Sequence, residues 1–243
     1  CMGITHHAHG TASVQSIVNL ALLRGMVGKK FAGLLPIRGH SNVQGMGSMA
    51  VTPTLKKAVF DRMTEGGVSV PVTKGYDTLA CIQAAQNNNM DFAFCLGGNL
   101  YGSNPDSSAT TDAFSKIDTV VYASTTLNTG HAWGTGKETI ILPVLARDEE
   151  RQSTTQESMF SFVRLSDGGI DRHQNLRSEV GVISEIASRV LGNDNLFNWG
   201  ELEDHNRIRK IISRIIPGFE SMDSIGESKT EFHIPGRILN KPV

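Results

Sequence analysis

The segment FAFCLG at residues 92–97 gives the clearest indication of architecture, because it is a short apolar run that ends in glycine. Such a run is typical of a strand buried on both faces of a sheet. Two similar runs follow, TVVYAS at 119–124 and TIILP at 139–143, with a helical pattern near 107–116. The strands start about 20 to 27 residues apart, the spacing of β-α units, so we predict an α/β fold with a doubly wound, mostly parallel sheet.

The turns after these strands are the expected place for a ligand, because open α/β sheets bind ligands at the carboxyl ends of their strands. Three turns qualify: Gly97-Gly98-Asn99, Ser124-Thr125 and the segment after Pro143.

Periodic patterns elsewhere predict further elements. Amphipathic spacing predicts a helix from Ala12 to Arg24, capped by Thr11 or Ser13. The other predicted elements are helices from Thr52-Pro53 to about Met63, from Asp77 to about Asn87, from Ser178 onward and from about Asp204 to Ile216, and a strand within MFSFVRL at 159–165. The glycine-rich segment 28–51 is predicted to be an extended loop that threads a site.

Composition narrows the class of protein. The net charge of -1 argues against nucleic acid and anionic membrane as partners, and no apolar run approaches the roughly 18 residues of a membrane span. Three cysteines without CxxC spacing cannot form a disulfide framework or a four-thiolate iron–sulfur cluster, so a reducing cytoplasm is the expected compartment.

The first residue is Cys1, and the last residues, GRILNKPV, carry no helix or capping signal, so we interpret the chain as an internal segment of a longer polypeptide.

A cluster of histidines occurs in MGITHHAHG at residues 2–10. His6, His7 and His9 are too close together to surround one zinc ion without help, so no metal site is predicted there. The wall of a cofactor pocket is the alternative role for this cluster.

Two glycine-rich segments fail as nucleotide motifs. GTGKET at 134–139 has His131 and Glu138 where a phosphate-binding P-loop needs glycine and Ser or Thr. CLGGNLYG at 95–102 is not GxGxxG, which disfavours a nicotinamide site.

The segment PIRGHSNVQG at 36–45 places Arg38, His40, Asn42 and Gln44 between glycines. Glycines let the backbone approach a ligand closely while the polar side chains project toward it. A polar surface loop whose arginine forms a salt bridge is an equal alternative on spacing alone.

RGHSNVQG resembles the signature of the formate-dehydrogenase-like catalytic subunits of the molybdopterin oxidoreductases. Further segments match that family in the same order: MGITHHAHG, LALLRGMVGKKFAG, FAFCLGGNLYGSNPD, VVYASTTLN, ETIILP and RSEVGVISEIASRV. The resemblance covers nearly the whole chain.

The resemblance implies the three-layer α/β fold of the formate dehydrogenase/DMSO reductase type, here incomplete. Residues 1–40 would end one cofactor-binding α/β domain, residues 41–143 would form a second, Rossmann-like one, and residues 144–243 would partly belong to a preceding N-terminal domain. The implied cofactor is bis-molybdopterin guanine dinucleotide with molybdenum or tungsten, and an iron–sulfur cluster would belong to the N-terminal region. The implied partners are a small-molecule substrate, the rest of the polypeptide and an electron-transfer subunit.

The resemblance also implies site residues. Arg38 matches the arginine that faces the metal-bound substrate, where charge-assisted hydrogen bonds would orient an oxyanion. His40 stands where formate dehydrogenases carry glutamine and would be available for proton transfer. The positions implied to bind the cofactor are Met2, His6, Gly39, Gly97, Asn99, Ser103, Ser124, Thr125 and Glu179, with Glu179 reading the guanine edge.

Departures from the family pattern leave alternatives open. Histidine replaces glutamine at positions 6 and 40, which weakens formate as the substrate, and Thr125 stands where the family commonly has aspartate. A nonredox ligand-binding module on the same scaffold is one alternative, since a fold does not determine a function. A nicotinamide-dependent dehydrogenase is the other.

Overall fold

A computed structural model of the protein describes residues 3–37, 39–170, 172–192 and 197–236. Its helices are α1 (Gly10–Leu23), α2 (Val43–Ser48), α3 (Lys57–Glu65), α4 (Thr78–Gln86), α5 (Leu100–Ser103), α6 (Ser107–Ser115), α7 (Gly130–Trp133), α8 (Glu179–Leu191), α9 (His205–Ile215) and α10 (Ile225–Ser228). Its strands are β1 (Phe92–Leu96), β2 (Thr119–Ser124), β3 (Glu138–Pro143), β4 (Thr154–Ser158), β5 (Phe162–Ser166) and β6 (Phe232–His233).

The predicted parallel sheet is confirmed. Strands β1, β2 and β3 lie side by side in that order, and both pairs are parallel, with Phe92 opposite Thr119 and Thr119 opposite Glu138. Helices α4 and α6 cover one face through a core of Ile82, Ala85, Ala113, Phe114, Ile117, Val120 and Tyr122. The middle strand β2 is buried from Val120 to Ser124, as its apolar run predicts.

The other face of this sheet looks toward α8 across an apolar groove. Alternate residues of a strand point to the same face, so Phe92, Phe94 and Leu96 of β1 line one side of an apolar groove of about 550 Å³. The other lining residues are Val121, Ile140, Leu142, Ile183 and Ile186. With helices on both faces the sheet is doubly wound, and a parallel bridge from Val144 to Arg177 sets the start of α8 beside the end of β3.

A second core joins distant parts of the chain. The antiparallel sheet β4-β5-β6 packs with α3 and the region around α9 through Val59, Val163, Ile216, Phe219, Met222, Ile225 and Ile234. Residues near 50–60 are thereby held to residues beyond 160. The predicted division at residues 40 and 143 stays a prediction.

The predicted helix after Thr52-Pro53 starts later than expected. Thr52 Oγ1 donates a hydrogen bond to Thr54 O at 2.8 Å, and Pro53 O accepts one from Gly75 N at 2.7 Å. These bonds tie residues 52–54 into a turn, so α3 begins only at Lys57. Similarly, α1 begins at Gly10 and is preceded by His9, so Thr11 and Ser13 are not its caps.

The predicted strand at 159–165 is shorter than expected. Residues Met159–Ser161 form a 3₁₀ turn in which Phe160 and Ser161 have φ of 61° and 54°, and β5 starts at Phe162. This turn connects β5 to β4, whose polar sequence TTQES gives no strand signal.

The segment 28–51, which was predicted to be an extended loop, is not wholly extended, because it contains the helix α2.

Asp77 caps α4 as predicted: its Oδ1 accepts a hydrogen bond from Ala80 N at 2.9 Å. Asp77→Ala removes this acceptor, and we expect the free energy of unfolding to fall by about 1 kcal/mol. Urea titration of the chain, followed by circular dichroism, measures the change. Asp77→Asn keeps an oxygen in place and serves as the control; equal midpoints for the two variants would contradict the cap.

Within the described ranges, every helix is too short or too polar to cross a membrane.

Candidate functional site

The turns after β1 and β2 are joined by one side chain. Gly97 and Gly98 have φ of 68° and 72°, and Asn99 follows them at the start of α5. Asn99 Oδ1 accepts a hydrogen bond from Gly102 N at 2.8 Å, and Asn99 Nδ2 donates one to Thr129 Oγ1 at 3.0 Å. The two turns therefore form one surface at the carboxyl ends of the strands.

Glycine on both sides of Asn99 leaves room for its side-chain amide. A Cβ at Gly102 would lie 2.7 Å from Asn99 Nδ2, and one at Gly130 would lie 2.6 Å from Asn99 Oδ1. Real Cβ contacts are longer than this. The Asn99 amide thus occupies space that any other residue at positions 102 or 130 would fill.

Ser124, at the end of β2, is supported by His131. Asn128 N donates a hydrogen bond to His131 Nδ1 at 3.0 Å, so the ring proton lies on Nε2. His131 Nε2 then donates to Ser124 Oγ, also at 3.0 Å. The ring of Tyr122 packs against the imidazole of His131, with the two ring centroids 4.9 Å apart and the two ring planes nearly perpendicular. The buried Ser124 hydroxyl therefore keeps its own proton for another acceptor.

The RGHSNVQG loop forms one wall of a pocket of about 340 Å³, which we call the loop pocket. Gly39 and His40 line it on one side, and residues 156–159 line it on the other. Asn42 lies in the wall with a left-handed backbone, φ 63°, and its Oδ1 accepts a hydrogen bond from Glu157 N at 2.9 Å. The loop is thus tied to β4.

A second cavity of about 450 Å³, which we call the cleft, lies where several segments meet. Its lining residues are Ser41, Asn42, Thr125, Leu145, Ala146, Arg147, Glu150, Thr154, Thr155, Glu179, Val180 and His205. Glu179 is half-buried in the first turn of α8, where Ser178 Oγ accepts a hydrogen bond from Gly181 N at 3.0 Å. Burial raises the pKa of the Glu179 carboxyl above its ordinary value.

Beside the cleft lies a buried polar group of Glu150, His205 and Arg209. His205 Nδ1 donates to Ser153 O at 3.1 Å, because a carbonyl can only accept, and Arg209 Nη1 donates to the same oxygen at 2.9 Å. His205 Nε2 lies 3.9 Å from Glu150 Oε2 and has no hydrogen-bond partner among the described residues. Burial lowers the pKa of Arg209.

The structure brings together some of the predicted site residues. Ser41 and Asn42 line both cavities, so the loop pocket, which His40 lines, adjoins the cleft, which Thr125 and Glu179 line. The positions Gly97, Asn99, Ser103 and Ser124 lie in or beside the turns after β1 and β2.

One predicted position, His6, is not brought to this surface. His6 lies exposed in the turn before α1 and lines neither cavity. Met2 and Arg38 lie outside the described residues. The described residues contain no group of three or more His, Cys, Asp or Glu side chains that could hold a metal ion.

Sequence reasoning missed His131, Glu150, Glu157 and His205. Only His131 had a local signal, the Asn-Thr-Gly-His turn that directly follows a strand. The other three act through partners far away in the sequence, which spacing does not reveal.

Comparison with known proteins supplies the family. The model of the molybdopterin oxidoreductase family matches residues 1–189. An uncharacterized oxidoreductase of Mycobacterium tuberculosis is 34% identical over 96% of this chain and 31% of its own length. Protein YdeP of Escherichia coli K12 is 34% identical over 96% of the chain and 32% of its own length. Formate dehydrogenase H of the same organism is 28% identical over 78% of the chain and 27% of its own length.

The chain spans about a third of the length of the curated relatives that it matches. The resemblance read from the RGHSNVQG segment is confirmed, because the family match covers most of the sequence. The chain belongs to the molybdopterin oxidoreductase family.

Proposed function

We propose that this chain is the part of a molybdenum or tungsten oxidoreductase that binds bis-molybdopterin guanine dinucleotide and lines the site where a small substrate reacts. The observation that carries the proposal is the shared wall at Ser41 and Asn42. It places the loop pocket, where a substrate would lie, directly beside the cleft, where a nucleotide would lie.

The residues of the cleft fit the guanine end of such a cofactor. Guanine presents adjacent N–H groups on one edge, and one carboxylate can accept hydrogen bonds from both. Glu179 offers this acceptor pair in a half-buried position, and Glu150 adds a second carboxylate at the border of the cleft. Thr125 offers a hydroxyl, which cannot copy the two-acceptor geometry of an aspartate.

The turns after β1 and β2 would hold the sugar and phosphate portion. Asn99 Nδ2 donates one of its two N–H groups to Thr129, and its second N–H group can donate to a ligand. Ser103 is exposed beside Asn99. Ser124 keeps its hydroxyl proton because His131 donates to its oxygen. Asn99 and Ser124 therefore offer donors, as phosphate and sugar oxygens require, whereas the Ser103 hydroxyl donates to Leu100 O at 3.4 Å.

In the loop pocket the chain's own residues would orient the substrate. The bound metal would supply the two-electron redox chemistry. Arg38 would hold an anionic group of the substrate through charge-assisted hydrogen bonds, and His40 would take up or release a proton at its imidazole. The pocket volume of about 340 Å³ suits a small molecule. The histidines at positions 6 and 40 argue against formate itself.

The whole protein would also require components outside this chain. We propose a cytoplasmic enzyme in which the rest of the polypeptide completes the cofactor cradle and a partner subunit takes the electrons. An iron–sulfur cluster in the preceding region would connect the two.

The proposal is tested by the molybdenum and the guanine nucleotide that the purified full-length protein carries. We expect about one molybdenum or tungsten atom and about two GMP equivalents after acid hydrolysis. Neither metal nor nucleotide, from cells that make the cofactor, would overturn the redox function and favour a nonredox binding module. Tight binding of NADH in place of GMP would instead favour a nicotinamide-dependent dehydrogenase.

A further inference from the structure

Glu157 is a carboxylate in an unusual place. It lies in β4, and the residue is only 4% exposed. A buried charge is costly unless hydrogen bonds compensate for the lost water. The groups that provide these bonds therefore indicate what Glu157 does.

The compensating donors come from the RGHSNVQG loop and the helix that continues it. Gln44 Nε2 donates a short hydrogen bond to Glu157 Oε1, and Ser48 Oγ donates one to Glu157 Oε2 at 2.5 Å. The backbone N–H of Glu157 donates to Asn42 Oδ1 at 2.9 Å. Gln44 also donates to Ser161 Oγ at 3.1 Å. One residue of β4 thus binds three side chains of the segment 42–48.

The backbone of this segment depends on these bonds. Asn42 has φ of 63°, a left-handed conformation that costs energy for any residue with a Cβ. Its side chain also fills the space beside Gly45, where a Cβ would lie 1.9 Å from Asn42 Oδ1. Two glycines within the six residues of α2 make this helix intrinsically weak. The bonds to Glu157 offset both costs.

We propose that Glu157 is the positioning residue of the RGHSNVQG loop. Its carboxylate sets the conformation in which the loop presents His40 to the loop pocket. In this role it acts through Asn42, Gln44 and Ser48, to which it is hydrogen-bonded. The effect of Glu157 on the chemistry of Arg38 and His40 rests on the proposed function. Its effect on the conformation of the loop does not.

The test is hydrogen–deuterium exchange of the full-length protein, read by mass spectrometry. In Glu157→Gln, one acceptor oxygen becomes an NH₂ group that faces a donor. We expect amides of residues 39–49 to exchange at least tenfold faster, which corresponds to about 1.4 kcal/mol, while residues 92–124 are unchanged. Glu231→Gln is the matched control, because Glu231 accepts a hydrogen bond from Leu165 N beside the same sheet.

Three outcomes have defined meanings. Unchanged exchange in residues 39–49 would overturn the proposal, and so would equal acceleration in residues 92–124, since Glu157 would then stabilise the fold in general. Ser48→Ala removes a single donor and should give a smaller, equally local acceleration. This milder variant decides the matter if Glu157→Gln does not fold.

The functional part has its own readout. In protein that carries molybdenum, Glu157→Gln should retain the metal and GMP but change the electron paramagnetic resonance signal of the partly reduced metal. An unchanged signal alongside faster loop exchange would limit Glu157 to a structural role. Absence of metal from the wild-type protein would overturn the proposed function and leave the exchange comparison intact.

Discussion

Glu179→Gln should weaken the binding of GMP by roughly 10- to 150-fold. This range follows from a hydrogen bond to a charged group, which contributes about 1.5 to 3 kcal/mol. The carboxylate can accept from two neighbouring N–H groups, whereas a glutamine turns an NH₂ toward one of them. Titration calorimetry of GMP into full-length protein, made in cells without the cofactor, measures the dissociation constant.

The binding of GMP should also depend on pH through the same residue. Because burial raises the pKa of Glu179, its carboxyl takes up a proton at a higher pH than an exposed carboxyl does. A protonated carboxyl loses acceptor capacity, so affinity should fall as the pH is lowered through this raised pKa. The stability of the unliganded chain depends on pH in the opposite direction. The part of the free energy of unfolding that is linked to Glu179 is present at acid pH and is lost as the pH rises through the folded-state pKa.

Glu185→Gln is the control for both effects. Glu185 lies on the same helix, is partly exposed and pairs with Arg189 at 2.6 Å, away from the cleft. It should leave GMP affinity and its pH profile unchanged. A pH profile that persists in Glu179→Gln would assign the titration to another group and remove Glu179 from the guanine site.

Tyr122→Ala should lower the free energy of unfolding by about 3 to 5 kcal/mol, the range for deleting a large buried aromatic side chain. Tyr122 is 1% exposed and stacks on Phe114 with ring centroids 6.3 Å apart. Its hydroxyl donates to Gly134 O at 2.5 Å, and burial raises its pKa, with Cys95 adding to the shift, so the donor keeps its proton. Urea titration of the 243-residue chain gives the change in midpoint and slope.

Two other tyrosine variants separate the contributions. Tyr122→Phe removes only the hydrogen bond to Gly134 and should cost about 1 kcal/mol. Tyr76→Ala removes a ring that is 62% exposed and should change the free energy of unfolding by less than about 0.5 kcal/mol. Equal losses for Tyr122→Ala and Tyr76→Ala would contradict the assignment of the core.

The parallel sheet was predictable because its signals are local. Continuous apolar runs predicted β1, β2 and β3, and a side-chain oxygen at Asp77 or Ser178 predicted the start of a helix. A continuous apolar run indicates a strand buried on both faces, and a capping side chain indicates the start of a helix. Both signals lie within a few positions of the element that they predict.

The rest of the site was not predictable because its determinants are distant in sequence. The helix α2 has weak intrinsic propensity and depends on Glu157, more than 100 residues later. Strand β4 is polar, and its Glu157 side chain binds the loop rather than a core. The cleft exists only where Asn42, Thr125 and Glu179 meet, and no spacing rule relates these positions.

The bond between Gln44 and Glu157 also sets an order of events during synthesis. These residues are 113 positions apart, so a ribosome adding about 5 to 20 residues per second needs roughly 6 to 23 s to pass from one to the other. Throughout that interval the RGHSNVQG segment has left its place of synthesis without the carboxylate that holds it. The segment that is most recognisable in the sequence therefore acquires its shape only after residue 157 has been synthesised.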